Sequence, residues 1–259
     1  MNRPFSYALS LLLALGTLPL EMSFSSASGL RFVPSPPPSA GAPAGRPRGG
    51  ASRGNCPDVG KPLTALVPFG PLPANPQTDN QLPQEWVWAK TVTPRPTFWF
   101  YVPYRLNGKI LVTFALQDDK DNNLYRADLM PTSEPGVVQI SLPANAPALE
   151  PGKRYQWFFT IECEPNLSLE TRGWVDRINA DPDFTQKLTQ ATPRDRASLY
   201  ASNGLWYEAL TTLADLRRRN PNDGAIAADW SSLLQSVGVD PAVAAVPLVN
   251  CCQPGLEPR

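Results

Sequence analysis

The sequence predicts a two-sheet β-sandwich followed by a small all-α helical domain, and three observations carry that reading. Short aromatic and apolar runs separated by turn residues recur between about Asn55 and Ile178. Two of these runs alternate with period two: Ile110, Val112, Phe114 and Leu116 in one, and Tyr155, Trp157, Phe159, Ile161 and Cys163 in the other. From Thr192 onward the period becomes helical. Six runs read as strands: Thr97–Val102, Lys109–Gln117, Asn123–Met130, Val137–Leu142, Arg154–Cys163 and Thr171–Ile178, with Trp86–Val92 a seventh. Seven short antiparallel strands suit a sandwich that buries one face of each.

The flanking regions are read from composition. Arg3, the apolar run Tyr7–Leu20 and the small residues Ser25–Ser28 have the pattern of a cleaved export signal over residues 1–28. At ~1.5 Å per helical residue that apolar run is short of a bilayer core. No later segment is apolar enough to span one, so the expected location is the periplasm or the extracellular space, with no transmembrane segment after signal removal. Residues 29–54 read as a disordered linker, since Pro34–Gly54 holds six Pro and five Gly in 21 residues and almost no large apolar side chain. The sandwich is expected over 55–180, the helices over 181–240 and a tail over 241–259.

Within the sandwich, Leu149-Glu150-Pro151-Gly152-Lys153-Arg154-Tyr155 is similar to the L-x-P-G-x-x-Y corner of fibronectin type III domains. That resemblance implies an immunoglobulin/fibronectin III-like sandwich, with Gly152 in the turn and the Tyr155 hydroxyl bonded to backbone near Leu149. Arg194–Asp223 resembles the core of one tetratricopeptide repeat, with Tyr200, Gly204, Trp206, Ala209 and Pro221 in the family's positions. Arg196, Ala197, Leu213 and Leu216 depart from its pattern, and one repeat is too short to stack. Asn203-Gly204 ends a first helix, Leu205–Arg219 forms a second, and Asp223 or Gly224 starts a third running to about Val237. A small helical bundle capping the sandwich is the favoured reading. A partner groove at Tyr200, Trp206, Leu213 and Trp230 is its functional alternative.

Most chemistry is excluded early. There is no histidine, which removes Ser-His-Asp triads, Cys-His pairs and HExxH zinc sites. Lys+Arg and Asp+Glu are both 23, so no basic surface calls for nucleic acid. Asp119, Asp121 and Asn123 open like a calcium loop, but Leu124 and Met130 stand where an EF-hand needs Gly and Glu, so a polar hairpin is expected. Glu162, Glu164, Glu170 and Asp176 offer carboxylates for glycoside hydrolysis without a spacing that announces a pair. No catalytic, metal or cofactor site is expected.

Across 55–252 the sequence resembles a cyanobacterial secreted family, domain of unknown function 928. The likeness rests on Cys56-Pro57, RPTFWFYVPY (95–104), LEPGKRYQWFF (149–159), Cys163, Gly173-Trp174-Val175, LYASNGLWYEALTTLADLR (199–217) and Cys251-Cys252. It implies an exported envelope protein and brings no activity. The expected function is a non-enzymatic envelope protein that binds or organises other macromolecules, with an envelope protein as the expected partner. A carbohydrate-binding or glycan-processing module is the alternative: Trp86, Trp88, Trp99, Trp157 and Trp174 could stack on sugar rings, and tryptophans exposed along one face would favour it, although aromatics at strand period belong more often to the core, as is expected of Trp99 and Trp157. An exported chain is expected to oxidise Cys56, Cys163, Cys251 and Cys252. Adjacent cysteines pair badly, so Cys56 and Cys163 are each expected to bond one member of Cys251-Cys252. Free thiols or a redox-active vicinal pair are the alternative.

Overall fold

A computed structural model describes residues 29–35, 43–51, 56, 59–72, 85–164 and 167–252. The export signal expected over 1–28 lies outside the described residues. In chain order the strands are β1 (Ala44–Ala51), β2 (Thr64–Ala65), β3 (Phe69–Pro71), β4 (Glu85–Thr91), β5 (Thr97–Val102) and β6 (Leu106–Asn107), then β7 (Leu111–Asp118), β8 (Asn123–Leu129), β9 (Thr132–Ser133), β10 (Gly136–Ser141), β11 (Arg154–Glu164) and β12 (Leu167–Arg177). The helices are α1 (Pro182–Gln190), α2 (Pro193–Ser202), α3 (Trp206–Arg219), α4 (Gly224–Gln235) and α5 (Pro241–Ala244). The protein is thus mostly β-sheet with helices at its C-terminal end.

The strands do not divide into the two separate sheets of an immunoglobulin or fibronectin III sandwich. Nine of them run as one hydrogen-bonded path, β10-β5-β2-β1-β4-β12-β11-β7-β8, with β3 added on β4. The path curls. Phe100 of β5 stacks on Phe159 of β11 with centroids 4.0 Å apart, although β1, β2, β4 and β12 lie between their strands in the path. Phe98 likewise meets Phe114 at 4.9 Å and Trp157 at 6.2 Å. The interior of the curl therefore takes the place of the expected inter-sheet core, which is why the alternation read from sequence suits either arrangement. The approach is close enough to need glycine: a Cβ on Gly173 of β12 would fall 2.5 Å from both the Trp157 ring and Val87.

Joining the two halves is β1, which pairs with β12, β2 and β4. This overturns part of the expected linker, whose Pro and Gly content argued against order. Three partners supply the pairing that the segment's own side chains lack, and the register breaks between Arg46 and Gly50, around Pro47, where a missing N–H costs the ladder nothing. Further upstream, Leu30 and Phe32 are also buried, and Phe32 meets the Trp206 ring edge-on at 5.1 Å. That strap is held by Leu30 N–H donating to Asp229 Oδ1, Phe32 N–H to Ser236 Oγ and Val33 N–H to the Ala201 carbonyl.

Four of the five helices begin at a side-chain cap, from Asp181, Thr192, Asp223 and Asp240. α1 and α5 were not foreseen, though Asp181-Pro182 and Asp240-Pro241 carry the cap-and-proline signature. α3 has no such cap; Leu205 precedes it. The helices and the sheet share a single apolar cluster that includes Phe98, Trp157, Trp206, Leu213 and Trp230. Both faces of β5 are consequently covered: Phe98 and Phe100 inside the curl, and Trp99 under the helices, where it meets Trp230 at 6.3 Å. That explains the unbroken apolar run TFWFYV.

The cysteine expectation is corrected. Cys56 bonds Cys163, with Cα atoms 5.9 Å apart, and Cys251 bonds its neighbour Cys252. β1 lies on β12, with Ala51 opposite Leu169, and Cys56 sits beside Cys163 near the end of β11. The tail instead runs along the outer edge of β10, where Leu248 bridges Val137, and Cys252 takes a left-handed conformation at φ 63°.

Candidate functional site

Where α3 meets the sheet, Thr91 ends β4 and the chain turns through Val92, Thr93 and Pro94 into β5. Glu208, in the first turn of α3, reaches this turn and is only 7% exposed. Its Oε1 accepts three hydrogen bonds: from Thr91 Oγ1 at 2.5 Å, Val92 N–H at 2.8 Å and Thr93 N–H at 2.9 Å. The carboxylate thereby caps the N–H groups of the turn that follows β4, while the Thr91 carbonyl accepts from Ile178 N–H at 2.9 Å. Its other oxygen, Oε2, is buried and has no hydrogen-bond partner among the described residues. A buried charged oxygen without a donor costs more than the three made bonds suggest.

Glu208 lines a pocket of about 190 Å³ together with Thr93, Arg95, Pro96, Thr97, Tyr200, Tyr207, Thr211 and Thr212. The lining is one carboxylate, one guanidinium, four threonines, the Tyr200 phenol, a proline ring and Tyr207, whose hydroxyl lies elsewhere. Glu208, Thr211 and Thr212 lie three and four residues apart, so α3 presents them on one polar stripe. The opposite wall is set by the corner. Tyr155 Oη accepts from Glu150 N–H at 2.8 Å, and Gly152 takes a φ of 80° in the turn. Leu149 N–H then donates to the Pro94 carbonyl at 2.8 Å. Arg95 donates Nε and Nη2 to the Ala146 carbonyl at 3.1 and 2.9 Å, which ties its guanidinium to that segment.

Beside Glu208, Tyr207 turns the other way, into the core. Its hydroxyl accepts from Trp157 Nε1 at 3.2 Å and donates to the Trp174 carbonyl at 3.4 Å. Burial pushes its phenol far above the usual tyrosine range. Tyr200, at the rim, is raised by burial to a lesser degree, with the Glu208 charge adding to the effect.

The residues foreseen as a partner groove do not form one. Trp206 and Leu213 are fully buried and Trp230 is 1% exposed. Trp206 Nε1 donates to the Leu66 carbonyl and Trp230 Nε1 to the Ala244 carbonyl. Sheet, strap and α5 cover the apolar face that an isolated helical pair would leave open. Tyr200 alone of the four reaches a cavity, with its ring edge-on to Phe184. Trp99 and Trp157 are buried in the core as expected, whereas Trp86, Trp88 and Trp174 share one face of β4 and β12, with Trp88 buried, Trp86 and Trp174 half-buried and Trp174 Nε1 donating to the Ala44 carbonyl.

The carboxylates considered for hydrolysis also have other work. Asp176 receives both Nε and Nη2 of Arg154 at 2.7 and 3.0 Å, and Glu170 sits beside Arg172. The expected polar hairpin joins β7 to β8: Asp118 accepts from Lys120 and Asn122 N–H and closes the turn, with Asp121 left-handed at φ 62°. The Asn122 side-chain amide, donating to Asp118 Oδ2 at 2.9 Å, and after it the two backbone N–H groups hold the Asp118 carboxyl below its usual range. Among the described residues no cluster of His, Cys, Asp or Glu is arranged to hold a metal ion.

Sequence reasoning missed Glu208. The signal was present in Trp206-Tyr207-Glu208-Ala209-Leu210, where an acid interrupts an apolar stretch at a helix start without a Ser, Thr, Asp or Asn cap before it. The profile of the family described as Domain of Unknown Function (DUF928) matches residues 48–248, which holds the whole pocket. A search of curated proteins finds none that matches this chain.

Proposed function

From the premise that the chain belongs to the DUF928 family, we propose that it is an exported, non-enzymatic binding protein of the cell envelope that recognises a hydroxylated group, such as the end of a glycan, in the Glu208 pocket. The observation that carries this reading is the buried Oε2 without a donor on Glu208, a residue that lines a pocket together with Arg95 and four threonines. A carboxylate oxygen asks for a donor, and Arg95 across the pocket asks for an acceptor. A hydroxyl supplies both from one atom, whereas an ammonium supplies only the first. The volume suits a single sugar ring or a smaller end group, and Tyr200 offers an aromatic edge.

The lining favours binding over hydrolysis, because it contains one carboxylate and glycoside cleavage uses two across the bond. The disulfide between Cys56 and Cys163 suits an oxidising compartment, as does the apolar N-terminal run. Among the described residues no helix is long and apolar enough to cross a membrane.

Thermal unfolding and titration calorimetry of the full chain with glucose, galactose and N-acetylglucosamine, with butylamine as the comparison, test the reading. A saccharide should raise Tm, butylamine should not, and Glu208→Gln should remove the shift while the protein stays folded. Flat responses to every saccharide, or a shift that survives Glu208→Gln, would exclude the pocket as the site.

A further inference from the structure

The sheet has two ends, and they are finished differently. At β10 the C-terminal segment covers the edge: Val137 N–H donates to the Pro247 carbonyl and Val249 N–H to the Val137 carbonyl, both at 2.9 Å. At the other end β8 pairs with β7 alone among the described residues, leaving a seven-residue strand with a free outer edge. An open edge of that length is a template for another strand.

We propose that β8 pairs antiparallel with β8 of a second copy of this chain, about a two-fold axis through Ala127 and perpendicular to the sheet. Such an axis sets a residue opposite itself, and only same-parity residues can face each other, so few registers exist. Centring on Arg126 opposes two arginines, and centring on Asp128 opposes two aspartates. Centring on Tyr125 leaves Arg126 against Leu124. Only Ala127 at the centre sets Arg126 opposite Asp128 of the second copy, twice over. The same register brings Tyr125 against Leu129, with Met130, which is 62% exposed, just beyond the strand and next to the irregularity at Leu124 of the second copy. Leu124, Tyr125 and Leu129 are apolar side chains only partly buried at the rim of the core, so a second strand would complete their cover.

The charges are already placed for this. Arg126 Nε donates to Asp128 Oδ2 at 3.0 Å, and Asp128 Oδ1 accepts from Thr113 Oγ1 at 2.7 Å. Both side chains are thereby held along the edge, and a second copy would turn the pair into an alternating ladder of four charges.

Sedimentation equilibrium of the full chain, 28.3 kDa as a monomer, tests the pairing. The expected result is a concentration-dependent dimer. Arg126→Asp should raise its dissociation constant about tenfold, since it places like charges opposite each other twice. The double variant Arg126→Asp with Asp128→Arg exchanges the charges and should restore the dimer. A monomer at every concentration overturns the proposal. So does a dimer indifferent to Arg126→Asp, or one that the exchange fails to restore; circular dichroism of each variant verifies that the strand is still folded.

Discussion

Tyr207 and Glu208 are neighbours on α3, both buried, and both carry a polar group from the helix to the sheet. Tyr207 is fully matched: its hydroxyl sits between an indole donor and a carbonyl acceptor, inside a ring of Phe98 and Trp157. Glu208 is matched on one oxygen and not on the other. Adjacent helix residues point about 100° apart, so one enters the interior of the curl and the other the gap beside it. The contrast teaches what separates a structural polar contact from a site. The first has an internal partner for each bond it can make, while the second keeps a bonding capacity that a ligand can use.

Removing the shared side of that contrast should have the largest effect. Glu208→Ala strands Val92 N–H and leaves Thr93 N–H and the Thr91 hydroxyl only the bonds they make to each other's residue, and is expected to cost about 2–4 kcal/mol in urea unfolding. A loss below about 1 kcal/mol would mean that water serves this turn and that Glu208 is not its cap. Next comes Tyr207→Phe, which deprives Trp157 Nε1 of its acceptor without opening a cavity. A loss of roughly 1–3 kcal/mol is expected, with no change in ligand response. An altered ligand response would show that the two residues act as one unit.

A pH series sharpens the same contrast. Tyr207 is neutral in the folded state and its phenol is held above the unfolded value, so its contribution is complete below about pH 10 and is lost as pH rises further. The unfolded chain then releases a proton that the folded one keeps. Stability should fall above that pH, and Tyr207→Phe should reduce the slope by one proton, about 1.4 kcal/mol per pH unit. Equal slopes in both proteins would contradict the burial of this hydroxyl.

The smallest effect is expected from Glu208→Gln. Its amide oxygen can accept the same three bonds and its amino group replaces the donorless oxygen, so unfolding should shift by less than about 1 kcal/mol in the unliganded protein. A large loss would reveal an internal donor for Oε2, and the pocket reading would lose its basis.

Legibility from sequence followed distance along the chain. Thr97–Val102 matches to the residue and the other five main strands to within a few residues, because each is written locally, as an unbroken apolar run in TFWFYV and as alternation in strands such as Arg154–Glu164. The Asn203-Gly204 helix break and the Asp223 cap were equally local. The corner was visible too, since Glu150 and Tyr155 are five residues apart. The Glu208 site was not, because its donors lie 115 to 117 residues away and nothing in the pattern around Thr91 announces an acid. The groove at Trp206 and Trp230 was misread for the complementary reason: a helical face looks open until the sheet that covers it is known.

By itself, then, the sequence determined the local grammar of this protein: which runs are strands, where helices begin, how the Tyr155 corner turns, and that histidine chemistry is absent. Tertiary structure alone decided the rest. Ala44–Ala51 becomes a strand only because β12, β2 and β4 offer it hydrogen bonds. Cys56 finds Cys163 across a separation of 107 residues that only the assembled fold closes. Side-chain period and caps act within a turn or a strand, whereas sheet order, disulfide partners and the fit of a carboxylate depend on segments that meet only after the chain has collapsed.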